Sequence, residues 1–203
     1  MQLKFGDKGA MVRRVQKLLK VYPDGKFGRL TQEAVVEFQK ANGLKQDGIV
    51  GLGTWSRLLG IALLPKSKRV ITEIIVHCTA TPAGKDFTVE DITRWHQAQG
   101  WSTIGYHYVV YRDGTIHNGR NIDTAGAHCT GHNTHSVGVV YVGGLKRDGK
   151  TASDTRTWKQ REALQDLLME LKRLYPSATI HGHRDFAKKA CPSFDATREY
   201  ANI

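Results

Sequence analysis

The sequence predicts a small all-α module of three helices, followed by an α/β domain with a mixed central β-sheet flanked by helices. Three observations support this prediction. Apolar residues recur at helical spacing through roughly the first 60 residues, and β-branched runs alternate with helical patterns after residue 70. All nine histidines and all three cysteines lie beyond residue 76. Any metal or nucleophile chemistry therefore belongs to the second segment.

Composition limits the classes of protein that this chain can represent. Its 203 residues are 40% hydrophobic and 24% charged, which is typical of a globular protein with a sizeable core. The formal net charge is +11, with 11 basic and 5 acidic residues in 1–65 and 19 basic and 14 acidic residues in the remainder. This balance favours a polyanionic partner, and nucleic acid, an acidic membrane and the bacterial cell wall all qualify.

The sequence also indicates where the chain is made. Its start, MQLKFGDKGAMVRRVQKLLK, lacks the apolar core of a secretory signal, and no stretch approaches the roughly 20 apolar residues that span a bilayer. We therefore expect no signal peptide, no membrane insertion and synthesis in a cytoplasm. The three cysteines are too few and too scattered for a disulfide framework.

The first segment contains an internal repeat. DGKFGRLT at 24–31 and DGIVGLGT at 47–54 share the pattern D-G-x-x-G-x-x-T at a spacing of 23 residues. Asp-Gly favours a turn, and Thr31 and Thr54 are predicted to cap the helices that follow. A preceding helix over about 9–19 completes a bundle of three short helices that share a core.

A basic run with a proline separates the two segments. In IALLPKSKRV, residues 61–70, an apolar helix end meets Pro65 and then lysine, serine and arginine. We therefore predict a first module over 1–62, a linker over 63–69 and a second domain over 70–203.

The second segment alternates strand and helix patterns. Its order predicts a sheet with both pairing directions and helices packed against it. The predicted elements are a strand at 70–76 that ends at His77, a helix at 88–100 with a Thr88/Asp91 capping box, a hairpin at 105–120 around Asp113-Gly114, a strand at 136–144, a helix at 157–176 and a strand at 178–183.

Three residues at strand ends and in the last loop suit a catalytic zinc site. Zinc takes nitrogen and sulfur ligands in tetrahedral geometry, and a catalytic site holds three protein ligands with one position open. His77 and His183 each follow a predicted strand, and Cys191 comes eight residues after His183. Pro192 restricts the backbone of Cys191 and helps to hold its thiolate.

Two other interpretations stay open from the pattern alone. The stretch AHCTGHNTH, 127–135, offers His128, Cys129, His132 and His135 as a rival cluster, although a glycine-containing loop without strand support favours substrate contact over metal binding. Cys191 could instead be the nucleophile of a cysteine peptidase, but such thiols usually lie at a helix N-terminus. Cys78 is expected to be a packing residue, and a bond to Cys129 stays open.

Both segments resemble known families. GDKGAMVRRVQKLLK, DGKFGRLTQEAVVEFQKANGL and DGIVGLGTW resemble a peptidoglycan-binding module that is often appended to cell-wall hydrolases. IIVHCTAT, WHQAQGWSTIGYHYVVYRDGT, NTHSVGVVYVGG and HRDFAKKACPSFD resemble the phage lysozymes that are zinc-dependent N-acetylmuramoyl-L-alanine amidases, and more distantly the peptidoglycan recognition proteins.

The resemblance implies a set of functional residues. It places the three Zn²⁺ ligands on His77, His183 and Cys191, the catalytic tyrosine on Tyr106 and the catalytic lysine on Lys189. It also implies an enzyme that cleaves the lactyl-L-alanine amide bond with zinc-activated water. Beyond the resemblance, two residues of the 127–135 loop, His128 and Asn133, are expected to contact substrate.

The resemblance also implies a partner and a place of action. Bacterial peptidoglycan is the expected partner, nucleic acid is not, and the chain is expected to be a monomeric phage or prophage endolysin that reaches the cell wall after release from the host cytoplasm. The alternative is a non-catalytic peptidoglycan-binding protein or a regulator of RNA polymerase, because some phage amidases of this kind also restrain their phage's polymerase. Chelator-sensitive lysis separates the first hypothesis from the second.

Overall fold

The computed structural model describes residues 2–59 and 64–203 and divides the chain into two compact units, Met1–Leu64 and Pro65–Ile203. The predicted linker over 63–69 starts at a residue outside this described part. Its later residues are tied to the second unit, because the Ser67 amide donates to the Tyr175 hydroxyl at 2.6 Å and the Lys68 amide donates to Asp123 at 2.7 Å. These residues therefore belong structurally to the second unit.

The first unit consists of three helices around one core. They are α1 (Ala10–Leu18), α2 (Arg29–Ala41) and α3 (Leu52–Leu59), in agreement with the predicted all-α module. Apolar side chains spaced at three and four residues along α1, such as Val12 and Val15, face inward. The core residues are Leu3, Val12, Val15, Phe27, Val35, Val50 and Trp55.

The prediction that Thr31 and Thr54 cap helices is wrong. Helix α2 starts at Arg29 after Gly28, so Thr31 lies inside the helix with its buried hydroxyl 2.9 Å from the Gln16 side-chain nitrogen. Thr54 likewise lies inside α3, 3.0 Å from the side-chain nitrogen of Gln39. The tertiary hydrogen bond, rather than local capping, determines where these threonines lie.

The repeat has a structural basis in these two glutamines. The amide nitrogen of Gln16 donates to Asp24 and to the Lys26 carbonyl, and its oxygen accepts from the Gly25 amide. In the same way, 23 residues later, Gln39 donates to Asp47 and to the Ile49 carbonyl and accepts from the Gly48 amide. Each Asp-Gly turn is therefore closed by one buried glutamine from the preceding helix.

The second unit contains a mixed five-stranded sheet, as predicted. The strands of the unit are β1 (Glu73–Cys78), β2 (Thr81–Pro82), β3 (Tyr108–Val110), β4 (Ile116–Asn118), β5 (Ser136–Tyr141), β6 (Gly144–Leu145) and β7 (Thr179–Gly182). The central sheet has the order β4-β3-β5-β1-β7, and β2 pairs separately with β6. All central pairs are parallel except the β3–β4 hairpin. Strand β1 begins three residues later than predicted, and Val70 is exposed.

Helices pack against this sheet. Helix α4 (Val89–Ala98) has the predicted Thr88/Asp91 capping box and packs through Ile92 on the face that carries Val109 and Val140. Helix α5 (Trp158–Leu174) contributes the fully buried Leu164, Leu167, Leu168 and Leu171, and a short α6 (Ala196–Glu199) follows. Within the described residues, no helix has the length and apolar character needed to cross a bilayer.

Candidate active site

The site forms where two neighbouring parallel strands end. Strands β1 and β7 pair in a register that places Val76 opposite Gly182, so the next residues along each strand, His77 and His183, meet at the same edge of the sheet. Their ring centroids lie 4.6 Å apart. His77 is fully buried and His183 is half-buried, which leaves one side of the pair open to solvent.

The last loop brings Cys191 to the two histidines. Its carbonyl accepts from the Arg184 amide at 2.7 Å, and its Sγ accepts from the Cys78 amide at 3.3 Å. The next residue is also held, because the Tyr141 hydroxyl donates to the Pro192 carbonyl at 2.7 Å. All three cysteines are free thiols, so the bond between Cys78 and Cys129 that the sequence left open does not form.

These three residues suit a zinc ion. One ligand atom from each of His77, His183 and Cys191 lies within 4.8 Å of the other two. The His77 Nδ1 to Cys191 Sγ distance is 3.8 Å, close to the roughly 3.6 Å edge of a tetrahedral site with Zn–N and Zn–S bonds of ordinary length. Two imidazoles and a thiol are a donor set that catalytic zinc takes, with the fourth position open.

The ring of a third histidine, His128, contacts the ring of His77. The Nε2 of His77 lies 3.0 Å from the Nδ1 of His128. Burial, followed by the charges of His128, His183 and Lys189, holds the pKa of His77 well below 6.5, so the ring is neutral at neutral pH. In the tautomer that a metal ligand requires, the Nε2–H of His77 donates to His128 and the Nδ1 lone pair faces Cys191, whose Sγ lies 3.8 Å away.

Tyr106 borders the same cluster. Its ring centroid lies 5.0 Å from that of His77 and 5.5 Å from that of His96. Burial, with smaller contributions from Cys191 and Cys78, raises the pKa of Tyr106 above its usual 10. The hydroxyl therefore stays protonated and able to donate a hydrogen bond.

Lys189 is an exposed residue in the loop between His183 and Cys191. Burial is the main cause that holds the pKa of His183 below 6.5, and the positive charge of Lys189 is the second cause. The same charge contributes to the lowered pKa of His77. The ammonium group thus acts electrostatically on the site, where it could stabilise negative charge.

Comparison with known families matches both units. A family model described as N-acetylmuramoyl-L-alanine amidase matches residues 67–194, which is more than half of the chain. The chain belongs to this amidase family. A second model, for a peptidoglycan binding domain, matches residues 8–58 of the chain.

Individual relatives of the amidase include phage proteins. It is 46% identical over 127 residues to the endolysin of Klebsiella phage KP32, covering 63% of this chain and 83% of that protein. It is 40% identical over 133 residues to the endolysin of Escherichia phage T7, covering 66% and 87%. Among solved structures, it is similar to the N-acetylmuramoyl-L-alanine amidase LysC from Clostridium intestinale URNW, with a TM-score of 0.56, 27% identity and coverage of 68% and 87%.

The structure divides the rival cluster of the amidase's 127–135 loop between two places. His128 turns toward His77, whereas His132 and His135 lie beside Glu73, 2.8 Å and 3.4 Å from its carboxylate. The side-chain oxygen of Asn133 accepts hydrogen bonds from the backbone amides of His128 and Cys129. His128 is buried and Asn133 holds the loop, and the expectation that these two residues contact substrate stays a prediction.

The contact of His128 with His77 was not predicted from the sequence. The ring of His128 lies between Gly126 and Gly138, and a Cβ atom at either position would overlap it. Its Nε2 lies 3.4 Å from the hydroxyl of the buried Ser136. The two glycines and the serine are the only sequence signals for this pocket, and none is distinctive without the fold.

Proposed function

We propose that the chain is a zinc-dependent peptidoglycan hydrolase that cleaves the amide between the lactyl group of N-acetylmuramic acid and L-alanine. The observation that carries the proposal is the convergence of two imidazoles and a thiol at the ends of β1 and β7 in a chain of the amidase family. His77, His183 and Cys191 would hold the ion. A zinc ion bound there supplies a Lewis acid that polarises a carbonyl and activates water at neutral pH.

The protein's own groups then act on the reacting atoms. The water oxygen bonds to the carbonyl carbon, the carbon–nitrogen bond breaks, and a proton passes to the departing amine of L-alanine. Lys189 stabilises the negative charge that develops on the carbonyl oxygen. The protonated hydroxyl of Tyr106 orients the water or relays the proton to the amine.

The first unit supplies attachment to the substrate. We propose that it binds peptidoglycan, so that the chain works as a monomeric, modular endolysin at the cell wall after release from the host cytoplasm. The match of residues 8–58 to a peptidoglycan binding domain supports this, and the net charge of +11 suits an anionic wall.

Mass spectrometry of digested peptidoglycan tests the reaction. We expect new free amines on L-alanine with intact glycan strands, together with activity that a zinc chelator abolishes and added zinc restores. New reducing-end sugars would instead indicate a glycosidase. Release of muropeptides that a chelator does not affect would rule out the proposed chemistry.

A further inference from the structure

A second cluster of metal-binding side chains lies outside the site described above. One ligand atom from each of Glu73, His132 and His135 lies within 4.8 Å of the other two. The Glu73 Oε2 is 2.8 Å from the Nδ1 of His132 and 3.4 Å from the Nε2 of His135. All three side chains are half-buried, with 17%, 27% and 37% of their side-chain surfaces exposed in that order, so an ion can reach them from solvent.

This cluster is separate from the first site but shares a strand with it. Glu73 is the first residue of β1 and His77 is the fifth, and an even spacing places both side chains on the same face of the sheet. Four residues of strand correspond to about 13 Å. The two groups of ligands therefore cannot bind the same ion.

The loop that carries the two histidines is held in place. His132 and His135 belong to consecutive turns, since the His132 amide donates to the Cys129 carbonyl at 3.0 Å and the His135 amide to the His132 carbonyl at 3.3 Å. The amides of Thr72 and Glu73 both donate to the His135 carbonyl, which ties the loop to the start of β1.

Side chains add further support to this loop. The guanidinium of Arg69 donates to the carbonyls of Asn133 and Thr134, each at 3.2 Å. The ring of His132 packs on Phe186, with ring centroids 3.9 Å apart. The loop thus has the support that a metal site needs, which the sequence had led us not to expect.

We infer that Glu73, His132 and His135 form a second site for a divalent transition metal, with zinc as the best fit. Two imidazole nitrogens and one carboxylate oxygen are a ligand set that zinc takes, with a water in the fourth position. The 3.4 Å separation of Glu73 and His135 matches the roughly 3.3 Å edge of a tetrahedral zinc site with nitrogen and oxygen ligands, and the ion would replace the 2.8 Å hydrogen bond between Glu73 and His132. The imidazoles favour Zn²⁺ over Mg²⁺ or Ca²⁺, which prefer oxygen ligands.

A metal ion at this second site would also affect the first site, because the 127–135 loop contributes residues to both. The same loop carries His128, whose ring bonds to His77. An ion bound by Glu73, His132 and His135 would link the 127–135 loop to the start of β1. This link would restrain the loop and therefore stabilise the position of His128. Zinc at the second site raises the stability of the folded chain by mass action.

The test is the number of zinc ions bound by the full-length chain. We expect metal-free protein to bind two equivalents of Zn²⁺ by calorimetry and by metal analysis after dialysis. The variants His132→Ala and Glu73→Gln are expected to bind one. The matched control is His181→Ala, because His181 also packs on Phe186 but bonds to Thr179 through its Nε2, and this variant is expected to bind two.

Cobalt distinguishes the two sites. Co²⁺ bound with Cys191 gives a thiolate-to-cobalt charge-transfer absorption, whereas a site of two histidines and one glutamate gives none. We expect Cys191→Ser to retain one equivalent of Co²⁺ without that absorption, and His132→Ala to retain one equivalent with it. Circular dichroism identifies any variant that fails to fold, and Glu73→Gln preserves the side-chain shape if His132→Ala does not fold.

Two results would overturn the inference. One is a wild-type stoichiometry of one equivalent that Cys191→Ser abolishes. The other is a stoichiometry of two that remains in both His132→Ala and Glu73→Gln. Neither result depends on hydrolysis, so the second site stands or falls independently of the proposed amidase reaction.

Discussion

His128 contacts the nitrogen of His77 that faces away from Cys191 and leaves the other nitrogen free for a metal ion. Its Nδ1 lies 3.0 Å from the Nε2 of His77, and burial, with nearby positive groups, lowers the pKa of His128 to about 3. When both rings are neutral, a metal ion on the Nδ1 of His77 requires the shared proton to lie on the Nε2 of His77, which then donates to His128. Hydrogen bonds of this kind orient metal ligands and increase their basicity.

We expect His128→Ala to weaken zinc binding or turnover by about 10- to 100-fold, because His77 loses the partner that fixes its tautomer and ring orientation. Competition with a chromogenic chelator measures the zinc affinity. His117→Ala is the control, since that ring stacks on Tyr111 in the β3–β4 hairpin. Equal zinc affinity and turnover in the two variants would contradict a positioning role for His128.

Lys189 offers a second test at the level of one residue. We expect Lys189→Ala to lower kcat by about 100-fold or more, equivalent to about 3 kcal/mol of lost oxyanion stabilisation, while zinc stays bound. Lys188→Ala is the matched control, because it removes the neighbouring exposed lysine. Near-normal turnover in Lys189→Ala would return this residue to an ordinary surface role.

At the level of elements, Gln39 and its counterpart Gln16 stabilise the first unit. We expect Gln39→Ala to reduce the free energy of unfolding of that unit by about 2 kcal/mol, because the buried hydroxyl of Thr54 and the amide of Gly48 lose their partner. Urea unfolding measures the change, and the exposed Gln46→Ala serves as the control. A difference below about 0.5 kcal/mol between the two variants would argue against the role of this network.

Elements with local signals could be predicted from the sequence, and those that depend on distant partners could not. The Thr88/Asp91 capping box was predicted correctly because both of its bonds lie within three residues. Thr31 was misassigned because its partner, Gln16, lies 15 residues away in another helix. The strands β2 and β6 have two residues each, too few for any periodicity.

The same reason explains what was missed in the site. Strand ends and family motifs pointed to His77, His183 and Cys191, and the structure brings these residues together. The bond from His77 to His128 joins residues 51 positions apart, and no spacing rule connects them. The roles of Tyr106 and Lys189 stay predictions, and the Lys189→Ala variant above tests the second of them.

At the level of the whole molecule, buried histidines make stability depend on pH. Burial lowers the pKa of His107 from 6.5 to about 4. Below pH 6.5 the unfolded chain takes up a proton that the folded ring does not, so the stability present above pH 6.5 declines as the pH falls toward 4. The loss attributable to His107 is about 3 kcal/mol.

Urea unfolding of chelator-treated protein between pH 7.5 and pH 4 checks this expectation, since the chelator removes any contribution from acid release of zinc. His107→Gln retains an acceptor for the Gly138 amide but not the titrating ring, so we expect a shallower decline of stability with falling pH. An identical pH slope in this variant and in the wild type would contradict the assignment to His107.

We expect the two units to have separate functions, with attachment to peptidoglycan in the first unit and cleavage in the second. We expect residues 65–203 alone to hydrolyse a soluble muropeptide at the rate of the full chain but to bind insoluble peptidoglycan at least 10-fold more weakly. A pull-down with purified sacculi at increasing salt measures the binding, and salt should weaken the attraction between the basic chain and an anionic wall. Equal sacculus binding by both proteins would exclude the first unit as the attachment module.

The separation in sequence between His77 and Cys191 has a consequence for folding entropy. The two ligand atoms lie 3.8 Å apart although 114 residues separate them in the chain. An ion bound by both residues would therefore be a cross-link between a central strand and the final loop. A cross-link that closes a loop of about 100 residues lowers the conformational entropy of the unfolded chain. This loss stabilises the folded state by about 5 kcal/mol as long as the link persists on unfolding. The three side chains proposed to hold the ion would thus also cross-link the domain, and removal of the ion would be expected to lower its stability as well as its activity.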